Sequence, residues 1–284
     1  MYREKKYECG NFLEVEVFTK PEREKIYSRS TRVSESTPAQ KNLNNKKAKR
    51  YFVRLVHKNF TQDDLYVDLT YDKVNIPQSR AEVIRDIKNY TSRLRRKRNK
   101  LGLPPLKYIY VISNMDNNGN KVRYHVHMII NDIQRDIAEG LWNKGRANTD
   151  RLQFDEYGVE GKSLYMAGQA KGNRAWGSST RLEKPEPKIK DNKYTRKIVE
   201  RIERNPEDRE YFERLYPGWT FTDCTIYREN DEGLGAGTSF LIRLRRYDKR
   251  WKGGFHADKQ YRRSAAEFAG TSYQTARRTK NIKV

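Results

Sequence analysis

Cysteine is nearly absent from this chain: only Cys9 and Cys224 occur in 284 residues. They stand far apart, with no Cys-x-x-Cys and no Cys/His zinc spacing, which excludes a disulfide framework and structural zinc. Long apolar runs are missing too. None approaches the roughly 20 residues of a membrane-spanning helix, and the start MYREKKYECG has no signal-peptide core. The sequence therefore predicts a reduced, cytoplasmic protein with no membrane partner. A phosphate-binding glycine motif of Walker type is lacking, as is any internal repeat. Acid is short relative to base: 37 Asp and Glu face 60 Lys and Arg, for a formal charge of +23. That field suits nucleic acid first and an anionic membrane second.

What is present centres on Arg123-Tyr124-His125-Val126-His127-Met128-Ile129-Ile130. Read with period two, Tyr124, Val126, Met128 and Ile130 form an apolar face, while Arg123, His125 and His127 point the other way. Two of the four histidines stand there, one pleat apart. Side chains at i and i+2 of a strand can reach one small cation, and imidazole is a common ligand for divalent metals. An isolated His-x-His is more often a solvated or stacked pair, so the surrounding motifs decide the matter.

Taken in order, residues 1–48 read as a basic, flexible extension. Phe12–Phe18 alternates like a strand, but Ser28–Lys49 reads as a linker. Tyr51–His57 and Leu65–Tyr71 read as strands, the second with Leu65, Val67 and Leu69 inward and Tyr66, Asp68 and Thr70 outward. Ser79 with Glu82 forms a capping box, opening a helix whose buried face is Val83, Ile87, Tyr90 and Leu94. It ends in Arg93–Lys100, a cationic run containing Arg95, Arg96 and Arg98 and suited to phosphate. Tyr108–Ile112 is a strand, and the histidine strand returns antiparallel to it. Asp132–Trp142 reads as a helix, Leu152–Phe154 as a strand, and Gly158–Ala170 as a helix bearing Tyr165. Residues 171–190 read as a basic loop. Asp191–Arg204 and Pro206–Leu215 are helical, and Trp219–Tyr227 and Thr238–Arg246 are a closing strand pair. The last 34 residues, with eight Lys and Arg against Asp258 and Glu267, read as a basic tail. Trp142, Trp176 and Trp219 read as core or loop anchors, and His57 and His256 as ordinary residues.

The fold class predicted is α+β: an antiparallel sheet with helices on one face and an open polar face opposite. Residues 49–190 form its main domain, 191–250 a helical and β extension, and 251–284 the tail.

The motifs resemble those of the HUH endonucleases that initiate rolling-circle replication in small phages and plasmids. Asp68-Leu69-Thr70-Tyr71 resembles the first family motif, Tyr124-His125-Val126-His127 the second, and Leu164-Tyr165-Met166-Ala167 the third. Arg174-Ala175-Trp176-Gly177-Ser178-Ser179 is similar to the family's Arg-aromatic-x-Ser segment. The resemblance implies a ferredoxin-like fold with an open metal and DNA face. It also implies Mn²⁺ or Mg²⁺ on His125 and His127 with one oxygen ligand, and Tyr165 as the nucleophile. Arg123, Arg174, Trp176, Ser178 and Arg181 would then contact DNA. Two positions depart from the pattern. Gly168 stands where a lysine is common, and Gln169 or Lys171 takes its place. Ser113 stands near the third-ligand position, leaving Asn114, Asp116 or Asp68 to supply an oxygen.

The partners implied are single-stranded or hairpin origin DNA, with helicase and polymerase from the host, since no Walker motif is present. A second protomer supplying its own tyrosine is one route to ending a replication round. The alternatives are a mobilisation relaxase, a His-x-His metallohydrolase and a non-catalytic basic nucleic-acid-binding protein. Relaxases carry a further histidine, and those hydrolases follow the pair with Asp-His, where this chain has Met128-Ile129.

Overall fold

The computed structural model describes residues 1–20, 38–115, 120–169, 176–228 and 238–246. All belong to one compact unit, Met1–Tyr247; a second unit, Asp248–Val284, lies outside the described residues, and the basic tail with it. The chain is α+β, built on two five-stranded antiparallel sheets.

The first sheet carries β8 (Lys188–Lys190), β1 (Tyr2–Cys9), β2 (Phe12–Thr19), β10 (Ser239–Arg245) and β9 (Thr220–Tyr227) in that order. The second runs β6 (Ala147–Arg151), β3 (Leu65–Thr70), β5 (Lys121–Ile130), β4 (Tyr108–Met115) and β7 (Gly177–Ser178). Between the sheets lie α1 (Pro38–Asn59) and α4 (Glu160–Gln169). The outer face of the second sheet is covered by α2 (Arg80–Lys100) and α3 (Arg135–Gly140), and that of the first by α5 (Arg196–Arg204) and α6 (Arg209–Leu215).

Each layer follows from residue alternation. In the second sheet, Leu65, Val67, Leu69, Val126, Met128 and Ile130 meet Val83, Ile87, Tyr90 and Leu94 of α2. The opposite face presents Tyr66, Ile109, Val111 and Ile129 to Phe52, Leu55 and Val56 of α1 and to Met166 of α4. Two cores therefore share one sheet. The N-cap forms with its return bond one residue earlier than in a capping box: the Ser79 hydroxyl accepts from the Glu82 amide at 3.3 Å, and the Glu82 carboxylate accepts from the Gln78 amide at 2.9 Å.

Several expectations are corrected. Tyr51–His57 is not a strand but the last part of α1. Phe52 through His57 are all buried, because α1 is covered by a sheet on either side. The open polar face is likewise not there, since α1 and α4 cover it. Residues 1–48 are no loose extension in their described part: β1 and β2 form a hairpin, with β2 paired to β10, and Pro38–Lys49 is helical. The strand expected at Leu152–Phe154 is instead β6, just before it. No described helix is long and apolar enough to cross a membrane.

His57 shows what the double covering does. Its ring stacks on Phe12 with centroids 4.5 Å apart, and its Nε2 accepts from the Val159 amide at 3.2 Å. Burial pulls its pKa down to about 4 from 6.5, with only the Glu14 charge opposing. Between those values the unfolded chain binds a proton that the native chain does not. Stability is thus full above about pH 6.5 and falls as pH drops toward 4, by up to about 3 kcal/mol. In a melting-temperature series from neutral to acid pH, His57→Gln should flatten that fall. An unchanged slope would refute the assignment.

Candidate active site on the histidine strand

β5 lies in the middle of its sheet, with β3 on one side and β4 on the other. Asp68 and Val111 are the register partners of His127; Thr70 and Ser113 are those of His125. Because Val126, Met128 and Ile130 turn toward α2, both histidines turn toward α1 and α4. Their rings stand 4.9 Å apart at 83°.

His127 is only 4% exposed. Its Nδ1 is hydrogen-bonded to Asp68 Oδ1, and the Tyr66 hydroxyl lies 2.8 Å from that oxygen and 2.7 Å from Nδ1. A carboxylate accepts only, so Nδ1 carries a proton, and in the neutral ring the lone pair sits on Nε2. Nε2 is buried and has no hydrogen-bond partner among the described residues. His125 takes the same form: its Nδ1 is 3.1 Å from the Arg123 carbonyl, which also can only accept. Burial lowers the His125 pKa, which keeps the ring neutral at pH 7. Asp68 goes the other way. Burial raises its pKa, but the His127 and Tyr66 hydrogen bonds and the Lys162 charge outweigh it, so the carboxyl is held below its usual value.

The helix facing these groups begins after Gly158, whose φ of +71° only glycine adopts at ease and where a Cβ would lie 2.6 Å from His57 Nε2. Ser163, Met166 and Ala167 are its buried residues. Its other side chains meet the sheet one strand per turn. Lys162 Nζ lies 4.1 Å from the centre of the Tyr66 ring on β3. The Tyr165 ring is edge-on to His127 on β5, centroids 5.2 Å apart. Gln169 Oε1 accepts from Ser113 Oγ on β4 at 3.0 Å. A helical turn of about 5.4 Å against a strand spacing of about 4.8 Å makes this match possible.

The structure thus brings together His125, His127, Tyr165 and Gln169, all anticipated from sequence, and adds Tyr66 and Lys162; Asp68, anticipated as an oxygen ligand, is hydrogen-bonded to His127 Nδ1. Outward alternation had marked Tyr66 and Asp68 as facing the histidines' side. Lys162 carried a signal in its spacing, one turn ahead of Tyr165.

Other anticipated residues lie elsewhere. Asn114 sits at the register irregularity between Ser113 and Met115, and Ser113 is the residue facing His125. Asp116, Lys171, Arg174 and His256 are outside the described residues. Arg98 is not a DNA contact: it is 1% exposed and donates to the carbonyls of Pro104, Asn131 and Asp132. That places the end of α2 beside the far end of β5, about 17 Å along the strand from His125. Arg95 and Arg96 are exposed on α2, behind the sheet from the histidines. Arg123 is exposed at the near end of β5, Ser178 on edge strand β7, and Arg181 just beyond it. Trp176 packs edge-on to Phe52, centroids 5.3 Å apart, as an anchor.

Among the described residues no three of His, Cys, Asp and Glu are grouped to hold a metal ion. Two adjacent imidazoles held through Nδ1, with His127 Nε2 buried and unpartnered among the described residues, nonetheless suit a divalent ion whose remaining ligands are amide or water oxygens. Gln169 is the amide nearest the His125 end. No protein-family model, curated protein or solved structure matches the chain.

The tautomers are directly measurable. Long-range proton–nitrogen spectra of labelled protein at neutral pH should show Nδ1–H and bare Nε2 in both His125 and His127. Asp68→Asn should redistribute the His127 proton while leaving His125 as it was. An Nε2–H tautomer for His127 in the unaltered chain would overturn the site geometry.

Proposed function

We propose that this chain is a metal-dependent enzyme that nicks and rejoins single-stranded DNA at an origin to begin rolling-circle replication. The observation that carries the reading is Tyr165 packed on the ring of His127, whose buried Nε2 has no partner among the described residues. A buried polar atom left without a hydrogen bond costs about 1–3 kcal/mol, and such atoms call for a functional explanation.

The chemistry is a transesterification. Tyr165 Oη attacks the scissile phosphorus and gives up its proton as the Oη–P bond forms. The P–O3′ bond breaks, and the leaving oxygen takes a proton to become a 3′-hydroxyl. The 5′-phosphotyrosine stays near the broken bond in energy, so the reverse step reseals a strand. Mn²⁺ or Mg²⁺ on Nε2 of His125 and His127, with an oxygen from Gln169 or solvent, would supply polarisation of the phosphate's non-bridging oxygens. Asp68 fixes the His127 tautomer, and Lys162 sets a positive charge one turn from the nucleophile. The relaxase reading asks for a further histidine at the metal. The other described histidine, His57, is instead packed on Phe12.

Incubation with a labelled single-stranded origin library and Mn²⁺, run on a denaturing gel, tests the reading. A protein–DNA adduct abolished by EDTA and by Tyr165→Phe is expected. Binding without any adduct would sink the catalytic claim and leave a basic nucleic-acid-binding protein. An adduct that survives Tyr165→Phe would move the nucleophile elsewhere. Asp68→Asn should raise the Mn²⁺ needed for half-maximal adduct about 10–100-fold.

Lys162 has its own test. Lys162→Gln should slow adduct formation on the order of 10²-fold. A Cβ at Gly168 meets nothing within 4 Å, so Gly168→Lys fits there and should restore part of the rate. Full activity in Lys162→Gln would remove that residue from the mechanism.

A further inference from the structure

The outer side of α2 has no part in the site just described, yet it carries more exposed cations than any other described helix. Its exposed residues include Arg85, Lys88, Arg95, Arg96 and Lys100 and no Asp or Glu. Among the described residues none of the five side chains forms an ion pair or hydrogen bond, whereas those of Arg93 and Arg98 on the same helix are tied to backbone carbonyls. From Arg85 to Lys100 the helix rises about 22 Å, so the cations stand along a straight rod. The rod is stiff: Val83, Ile87, Tyr90 and Leu94 fix its inner side in the core.

We propose that this face is a second nucleic-acid surface, which grips the phosphate backbone of duplex DNA while the histidine side of the sheet handles the single strand. Three observations favour a duplex. The exposed residues of α2 include no aromatic ring, and unpaired bases are held chiefly by stacking on such rings. A fixed straight row of cations matches a partner whose phosphates are themselves rigidly spaced. The apolar side of α2 is buried in the core, so it cannot enter a lipid interface as a membrane-bound amphipathic helix does. The two surfaces lie on opposite faces of one sheet, so neither strand obstructs the other. Duplex binding is independent of the nicking reading; only its link to an origin rests on that reading.

The test uses the full chain and a mixed-sequence duplex, with anisotropy titrations across a salt series. The variant R85Q/K88Q/R95Q/R96Q should lower the slope of log affinity against log salt by about 3–4 units, and affinity at low salt at least about tenfold. The double variant R95Q/R96Q should show about half that slope change, which guards against misfolding of the larger set. Unchanged slope and affinity would overturn the proposal. Loss of binding to phosphatidylserine vesicles with duplex affinity intact would do the same in favour of a membrane. Loss of single-strand adduct alone, with duplex affinity intact, would assign the face to the single strand instead. None of these duplex readouts depends on cleavage, so each proposal can fail without the other.

Discussion

The candidate site depends on the second half of β5, Val126–Ile130, being buried on both faces. A strand with one wet face can leave its histidines to solvent. Here α2 takes one face and α1 with α4 the other, so His127 gives up water and must find its hydrogen bonds inside the protein. Asp68 and Tyr66 satisfy Nδ1, and no described residue satisfies Nε2. The same burial that holds the sheet together thus ties the ring through Nδ1 to Asp68, with Tyr165 packed edge-on against it. A neutral imidazole oriented by a carboxylate is the arrangement metal-binding histidines use.

A second consequence concerns the helices between the sheets. Their apolar sides face the histidine sheet, so their other sides bring charge against the first sheet. Arg54 is held by Glu14 and Glu16, at 2.8 Å and 2.6 Å. Burial would raise the Glu14 pKa, but Arg54 and Arg50 bring it below its usual value. Arg243 of β10 grips Asp223 and, at 2.9 Å and 3.0 Å, both oxygens of Glu160, the first residue of α4. Buried pairs of this kind add little net stability against apolar packing, and what they add is a fixed geometry. The N-terminal hairpin and the last described strand, adjacent in one sheet, thereby set how the Tyr165 helix begins.

Much of this was legible in the sequence. Alternation assigned the faces of β3 and β5 correctly, and Ser79 with Glu82 marked the start of α2. His125, His127, Tyr165 and Gln169 were named from motif order and spacing, and they meet in space. The failures have physical causes. Phe52–His57 reads as a strand because a helix buried on both sides has no polar stripe, and periodicity cannot separate it from a buried strand. Its Arg54 is neutralised by Glu14, 40 residues away, which no local pattern reveals. β1 is hidden for the same reason: Glu4 is 2% exposed, yet its partners are Tyr216 and Lys193, far along the chain. Arg98 sits within a cationic run but serves carbonyls, and composition could not tell it from Arg95 and Arg96.

The departure at Gly168 also takes on a physical meaning. A Cβ at position 168 meets nothing within 4 Å, so that turn of α4 has room for a longer side chain beside Gln169, which meets Ser113 on β4. This chain instead places its cation one turn earlier, with Lys162 over the Tyr66 ring on β3. From there it acts on Asp68, helping to keep that carboxylate ionised and so the His127 proton on Nδ1. Three successive turns of α4 therefore meet three strands. A charge stands over β3, a phenol over β5 and an amide over β4, and the order of strands in the sheet becomes the order of contacts along the helix.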